Sequence, residues 1–302
     1  MAVDGGVEKI DSLQLLRGVA ASLVAAFHLA EAAKNEGHDP GIFRLFLGGE
    51  AGVDLFFVLS GFIIYYTSAS GGRSSPVAFI AARFWRILPP YWVVLAGYLI
   101  CFAAAYALLG DIKYKIDQNS LITSIFVLPY PNHVILIAWT LALELLFYGV
   151  FAATFFIGGP RLFFVTMLVW AVAAQVFTHG ISEKPAWLLL PLHTVVAEFL
   201  YGSIIAWLHL EGRGRFHIPA LLLGLLLTGV HVLGLTPFGE AVGRELMPGI
   251  PAALVVHGLV GWRMRAPKVI LNWGEASYLF YLIHLLVFLL AGRFYEEISG
   301  VS

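Results

Sequence analysis

Apolar runs about as long as a bilayer is thick recur from one end of this chain to the other. The first begins at Leu13 and reaches Ala33 almost wholly in Ala, Val, Leu, Ser and Phe, and similar runs follow across all 302 residues. About twenty apolar residues in a helix cross the hydrocarbon core, and a helix satisfies its own backbone while doing so. Composition agrees with this reading. The chain is 60% hydrophobic and 12% charged, whereas a soluble domain carries about 25% charged residues. The expected fold class is an all-α polytopic integral membrane protein, a single bundle of about nine to ten transmembrane helices.

Spans are expected near 13–32, 51–69, 87–109, 135–157, 161–178, 187–209, 217–235, 246–262 and 274–293. A short extra helix at 119–130 is possible, although it closes on Pro129 and Pro131. No repeat, low-complexity stretch or linker interrupts the pattern, so one membrane domain is expected over 1–302. The first run lacks a small-residue cleavage pattern and reads as a retained helix. A lone cysteine, Cys101, excludes an intramolecular disulfide and a cysteine metal cluster. The net charge of −1 says nothing about nucleic acid, there is no basic tail, and no nucleic-acid partner is expected.

Charge alternates between the connections. Lys9 and Arg17, then Arg73, Arg83 and Arg86, then Arg161, Arg213 and Arg215, then Arg263, Arg265 and Lys268 mark one side. Glu31, Glu36, Asp39 and Glu50, then Asp111 and Asp117, then Glu183, Glu240 and Glu245 mark the other. Positive connections favour the cytoplasm, which puts the N-terminus there. Nine spans keep the alternation, whereas a tenth at 119–130 reverses every later loop.

Within that frame His28 stands out as an imidazole inside an apolar helix. Ionisable groups at such depth are functional-site candidates. Arg17 lies eleven residues earlier, about 16 Å along the axis. The orientation puts Arg17 at the cytoplasmic end and His28 in the outer half, with Glu144 and Asp54 at a similar outer depth. A carboxylate beside an imidazole can support it as a general base; a structural polar contact between helices is the plainer reading. Arg83 and Arg86 share a helix face, and two forked guanidiniums suit a phosphate. Arg17 and Arg73 are candidates to join them. Ordinary positive-inside anchoring, with Trp85 and Trp92 at the interface, also explains this cluster. Pro89 and Pro90 are expected to make the entry to the third span non-helical or kinked.

Ser60 beside Gly61 reads as helix packing or the lining of a substrate channel. Ser277, Tyr281 and His284 share one face of the last helix, which the orientation puts in the inner half, as either a cavity lining or a hydrogen-bonded seam. His193 and Glu198 are not expected to pair, and His231 and His257 read as satisfied core residues. No HExxH, phosphate-binding glycine loop or metal set is present in the sequence, so no metal is expected.

Six segments together resemble the acyltransferase type 3 family of membrane proteins, in its bacterial exopolysaccharide O-acetyltransferase branch. They are LQLLRGVAASLVAAFH, GVDLFFVLSGFIIYYTS, FIAARFWRILPPYW, AWTLALELLFYG, AEFLYGSIIAW and EASYLFYLIH, in that order. The resemblance implies transfer of an acyl group, usually acetyl, from cytoplasmic acyl-CoA to a hydroxyl of a glycan or lipid-linked sugar at the outer side. It implies His28 as the catalytic residue, with Glu144 assisting, and Arg17, Arg83 and Arg86 on the acyl-CoA. Ser60, Tyr281 and His284 are expected along the acyl-CoA path. Asp54, Tyr91, Trp139, Glu198 and Ser277, in the matched segments, are expected to support the site. Ala82 departs from the Arg-Arg-x-x-Arg pattern common in the family and removes one possible phosphate contact.

The expected co-substrate is acetyl-CoA or another acyl-CoA. The expected setting is the bacterial inner (cytoplasmic) membrane, alongside polysaccharide synthesis or export machinery. A transporter or flippase for a lipid-linked or amphiphilic sugar is the rival reading, using His28, Glu144 and the arginines as a proton relay. Inverted repeats, frequent in transporters, are not visible here.

Overall fold

A computed structural model describes residues 10–35, 37–71, 75–109, 116–235, 243–262 and 264–299. Arg73 and the loop charges Lys9, Glu36, Asp111, Glu240 and Arg263 lie outside the described residues. Among those described there is no strand. Helices α1 (Asp11–Asn35), α2 (Ala51–Ser70), α3 (Pro76–Leu109), α4 (Gln118–Phe126) and α5 (Ala138–Gly180) are followed by α6 (Ala186–Leu189), α7 (Val196–Leu210), α8 (His217–Val232), α9 (Gly249–Val260) and α10 (Lys268–Ser299). Five of these, α1, α2, α3, α5 and α10, contain stretches long and apolar enough to cross a membrane. By contacts the chain forms two compact units, one of residues 1–73 with 197–302 and one of residues 74–196.

In the first unit α1 packs along α10, and the small residues at the seam explain how closely. A Cβ on Gly18 would meet the Trp273 ring at 2.5 Å, and one on Gly274 would meet the Gln14 carbonyl. Near the start of both helices the Asp11 carboxylate accepts the Ala266 N–H at 3.0 Å. Further along, His28 meets His284. Contacts that advance together along both chains mean that α1 and α10 run parallel.

Helices α2 and α7 are also parallel, with Phe57 against Phe199 near their starts and Phe62 against His209 further along, and they touch through their backbones. A Cβ on Gly61 would strike the Phe199 carbonyl, and one on Gly202 the Val58 carbonyl. Ser203 Oγ of α7 donates to the Gly61 carbonyl of α2 at 3.2 Å. Without a hydrophobic drive between helices in lipid, such close contacts hold a bundle together. Helices α8 and α9 form an antiparallel pair pinned by two histidines. His217 Nδ1 bonds to the His257 carbonyl at 2.8 Å, and His257 Nε2 to the Arg215 carbonyl at 2.8 Å.

In the second unit α3 begins at Pro76, eleven residues before the expected 87. Ser75 Oγ accepts the Ala78 N–H at 3.1 Å, and Pro76 at the first helical position needs no N–H partner. Of the two expectations at Pro89 and Pro90, the non-helical entry is corrected, because both lie inside α3; membrane helices tolerate proline where neighbours rebond the freed carbonyls. Helix α4 has only 9 residues, about 14 Å of rise and too short to span. Its start is capped by Asp117, which accepts from Ser120 N at 2.9 Å.

Helix α5 is two helices in sequence. Gly159 breaks it with φ 74°, and Pro160 starts the second part. The expected spans 135–157 and 161–178 meet at this break. The expected continuous span 187–209 is corrected, because α6 ends at Leu189 and α7 starts only at Val196. Pro191 falls in the gap, where its carbonyl accepts from Trp170 Nε1 at 2.6 Å.

Candidate active site

His28 lies seven residues before the end of α1 at Asn35, and it has a partner that the sequence did not suggest. Its Nδ1 is 3.1 Å from Nε2 of His284 on α10. The two rings lie 5.1 Å apart between centroids. His284 is buried, and its other nitrogen, Nδ1, hydrogen-bonds to the Tyr281 carbonyl at 2.6 Å. The rings of Phe280, Tyr281 and Phe288 surround it. Phe27 stands against His28 at 5.1 Å.

The parallel course of α1 and α10 explains the meeting. Gly18 faces Trp273; ten residues further along α1 and eleven along α10, both chains have risen by about 16 Å. His284 is therefore level with His28, which corrects its expected place in the opposite half of the membrane. Ser277 is buried, and its Oγ donates to the Gly274 carbonyl of its own helix at 2.7 Å. Tyr281 packs edge-on against Phe56 of α2 at 5.7 Å. Arg17, half-buried below on α1, donates from Nη1 to Gln14 Oε1 at 3.4 Å.

Glu144 has a different setting from the expected one. It belongs to the second unit, where it accepts a short hydrogen bond from the Tyr148 hydroxyl one turn later. Both Arg83 and Arg86 act electrostatically on Tyr148. The Arg83 guanidinium lies over the Phe79 ring at 5.3 Å, and Phe79 meets Tyr148 edge-on at 6.1 Å. The expected separation of Glu144 from the arginines by depth is thus corrected. Because α3 starts at Pro76, Arg83 and Arg86 sit two to three turns inside the helix, at the level of α5 where Glu144 and Tyr148 lie. Tyr91 is fully buried beside Ser124. The Trp139 ring lies against that of His193 at 5.5 Å, tilted by 33°.

Glu50, in the same unit, acts electrostatically on His28. Glu50 Oε1 is 3.2 Å from His231 Nε2. Beside it Arg244 grips the fully buried Asp54 with two bonds, Nε to Oδ1 at 2.9 Å and Nη2 to Oδ2 at 2.7 Å, and donates to the Glu50 carbonyl at 3.0 Å. Burial opposes the Arg244 charge, but Asp54 outweighs it and holds the guanidinium more firmly protonated than usual. Glu198 is fully buried next to Asp54, with its Oε1 at 3.2 Å from where a Cβ on Gly249 would stand. Asp54 therefore serves an ion pair, and Glu198 sits beside that pair. Ser60 is half-buried in α2, and the close approach to α7 is made by Gly61.

Sequence reasoning missed Glu50, His231, Arg244 and Tyr148. Tyr148 was readable as the residue four after Glu144, on the same helix face. Arg244 had no such signal, since it lies in a mixed-charge connection 190 residues from its partner. Among the described residues no group of three or more His, Cys, Asp or Glu is arranged to hold a metal ion.

Comparison with known proteins follows the same segments. The acyltransferase domain family matches residues 10–299. The chain is 33% identical over 277 residues to the exopolysaccharide production protein ExoZ of Rhizobium meliloti (strain 1021), covering 85% of this chain and 80% of that protein. It is 32% identical over 196 residues to protein 2 in the picA locus of Rhizobium radiobacter, covering 58% of this chain and 96% of that one. No solved structure matches the chain. With a family match that runs from the first helix through the last, and with helices built to cross a bilayer, this chain belongs to the acyltransferase type 3 family of polytopic membrane proteins.

Proposed function

We propose that the protein transfers an acyl group, acetyl by preference, from acyl-CoA to a hydroxyl of an exported polysaccharide or a lipid-linked precursor. The observation that carries this reading is His28, an imidazole in an apolar helix whose Nδ1 is 3.1 Å from a second buried imidazole. Two coupled imidazoles inside a bundle are costly as packing and useful for moving a proton. The name of the Rhizobium meliloti relative, an exopolysaccharide production protein, supports the acceptor class.

In this reading His28 either takes the proton of the acceptor hydroxyl or carries the acyl group briefly itself. Arg83 and Arg86 serve the anionic end of acyl-CoA, and Arg17 is a further contact for it. Forked guanidiniums at one helix face match phosphate oxygens. The protein works in the inner membrane of a bacterium with its N-terminus in the cytoplasm, as the alternating loop charges favour. The parallel course of α1 and α10 supports an odd number of crossings.

The test is O-acetyl content of surface polysaccharide in a deletion strain carrying wild type, His28→Ala or empty vector, with membrane insertion checked by immunoblot. Loss on deletion, rescue by wild type and none by His28→Ala is the expected result. Unchanged acetylation on deletion would overturn the enzyme reading, and rescue by His28→Ala would overturn the role of His28.

A further inference from the structure

His284 sits between His28 and a backbone carbonyl, and a carbonyl can only accept. The Tyr281 oxygen, 2.6 Å from His284 Nδ1, therefore requires a proton on that nitrogen. A neutral imidazole with its proton on Nδ1 presents a bare lone pair at Nε2. That Nε2 faces His28 Nδ1 at 3.1 Å, so His28 Nδ1 must be the donor of this bond. His284 thus selects one tautomer of a neutral His28, with Nδ1 protonated and Nε2 bare.

We infer that His284 is the positioning residue of the transfer reaction: anchored on the Tyr281 carbonyl, it accepts from His28 Nδ1 and leaves His28 Nε2 as the reacting atom. This rests on the acyltransferase role of His28. The acceptor O–H gives its proton to Nε2 while its oxygen forms the new bond to the thioester carbonyl carbon. The carbon–sulfur bond breaks, and the departing thiolate takes the proton from Nε2. An ester and the free thiol result, and His28 returns to its starting tautomer. While Nε2 holds the proton the imidazolium keeps its Nδ1–H on His284, which steadies the charge. His284 thus acts through His28 and need not touch acyl-CoA.

Two substitutions and one spectrum test the assignment. His284→Phe keeps an aromatic ring among Phe280, Tyr281 and Phe288 but removes the acceptor. His284→Gln puts an amide oxygen near the position of Nε2 and can still accept from His28. Purified protein is assayed for transfer from radiolabelled acetyl-CoA to acceptor oligosaccharide. His284→Phe is expected to lower kcat by on the order of 10²-fold with the acyl-CoA KM little changed, within the range for general-base catalysis. His284→Gln is expected to recover at least a tenth of wild-type kcat. Unchanged kcat in His284→Phe overturns the inference, as does His284→Gln falling to the level of His284→Phe.

Nitrogen-15 spectra of histidine-labelled protein in lipid read the tautomer without any turnover. His28, assigned by its loss in His28→Gln, should show a protonated Nδ1 and a bare Nε2 in wild type. A protonated Nε2 overturns the assignment. A wild-type protein that transfers no acyl group yet shows the expected tautomer would sink the acyltransferase role alone.

Discussion

Arg244 closes on Asp54 with two parallel hydrogen bonds across 190 residues of chain, tying the connection before α9 to the first turn of α2. Asp54 is fully buried, so removing the guanidinium strands a charge. Breaking such a pair from one side costs about 3–5 kcal/mol, whereas replacing both partners by apolar groups is often neutral. Arg244→Met and Asp54→Leu alone should each lower the melting temperature in detergent sharply. The double variant should recover most of the loss. A double variant as unstable as the worse single one would show that the pair does not act as a unit.

Contact between α2 and α7 depends on two glycines. A Cβ on Gly202 would press on the Val58 carbonyl and the Phe62 nitrogen, and one on Gly61 on the Phe199 carbonyl. Gly202→Ala should cost about 1–3 kcal/mol, the usual range for overpacking. Gly149, in α5, has open space where its Cβ would stand, and Gly149→Ala should gain about 0.5–1 kcal/mol from helix propensity. Thermal unfolding of the two variants side by side checks the contrast, and equal effects would contradict it.

Arg83 and Arg86 offer a second comparison. If they hold acyl-CoA, Arg83→Ala and Arg86→Ala should each weaken binding of CoA by on the order of tenfold, the scale of a lost charged hydrogen bond. Calorimetry on purified protein at fixed ionic strength measures it. Arg213→Ala, whose guanidinium lies over Trp207 in the other unit, should leave that binding unchanged. Wild-type affinity in both the Arg83 and Arg86 variants would remove them from the donor site.

His133 carries a pH prediction. It lies in the connection before α5, where burial pushes its pKa down while the carbonyls of Tyr130 and Leu128 pull partly against that. A histidine depressed in the folded state binds fewer protons there than when unfolded. Its share of stability is therefore full above the unfolded value of about 6.5 and is lost as pH falls through that value toward the folded one. Melting temperature should drop between pH 7.5 and 5.5, and His133→Gln should flatten part of that drop. An unchanged slope in His133→Gln would assign the acid sensitivity elsewhere.

Much of the architecture was legible in the residues. Apolar length alone located α1, α2 and α8, because a lipid-facing helix has little freedom in composition. It failed where local backbone chemistry outranks hydropathy. Ser75 and Pro76 start α3 well before its most apolar part, and Pro191 opens a gap inside an apolar run that read as one span. Gly159 and Pro160, by contrast, were readable as a break because both residues disfavour continuing a helix.

His28 itself was determined by sequence, since an imidazole in such a run is conspicuous whatever it touches. Its partner was not. His284 lies 256 residues away, and only the parallel packing of α1 on α10, made close by Gly18 and Gly274, brings the two rings to one level. Periodicity reports which face of a helix a residue occupies. It does not report which other helix that face meets, and that choice belongs to the packing of the whole bundle.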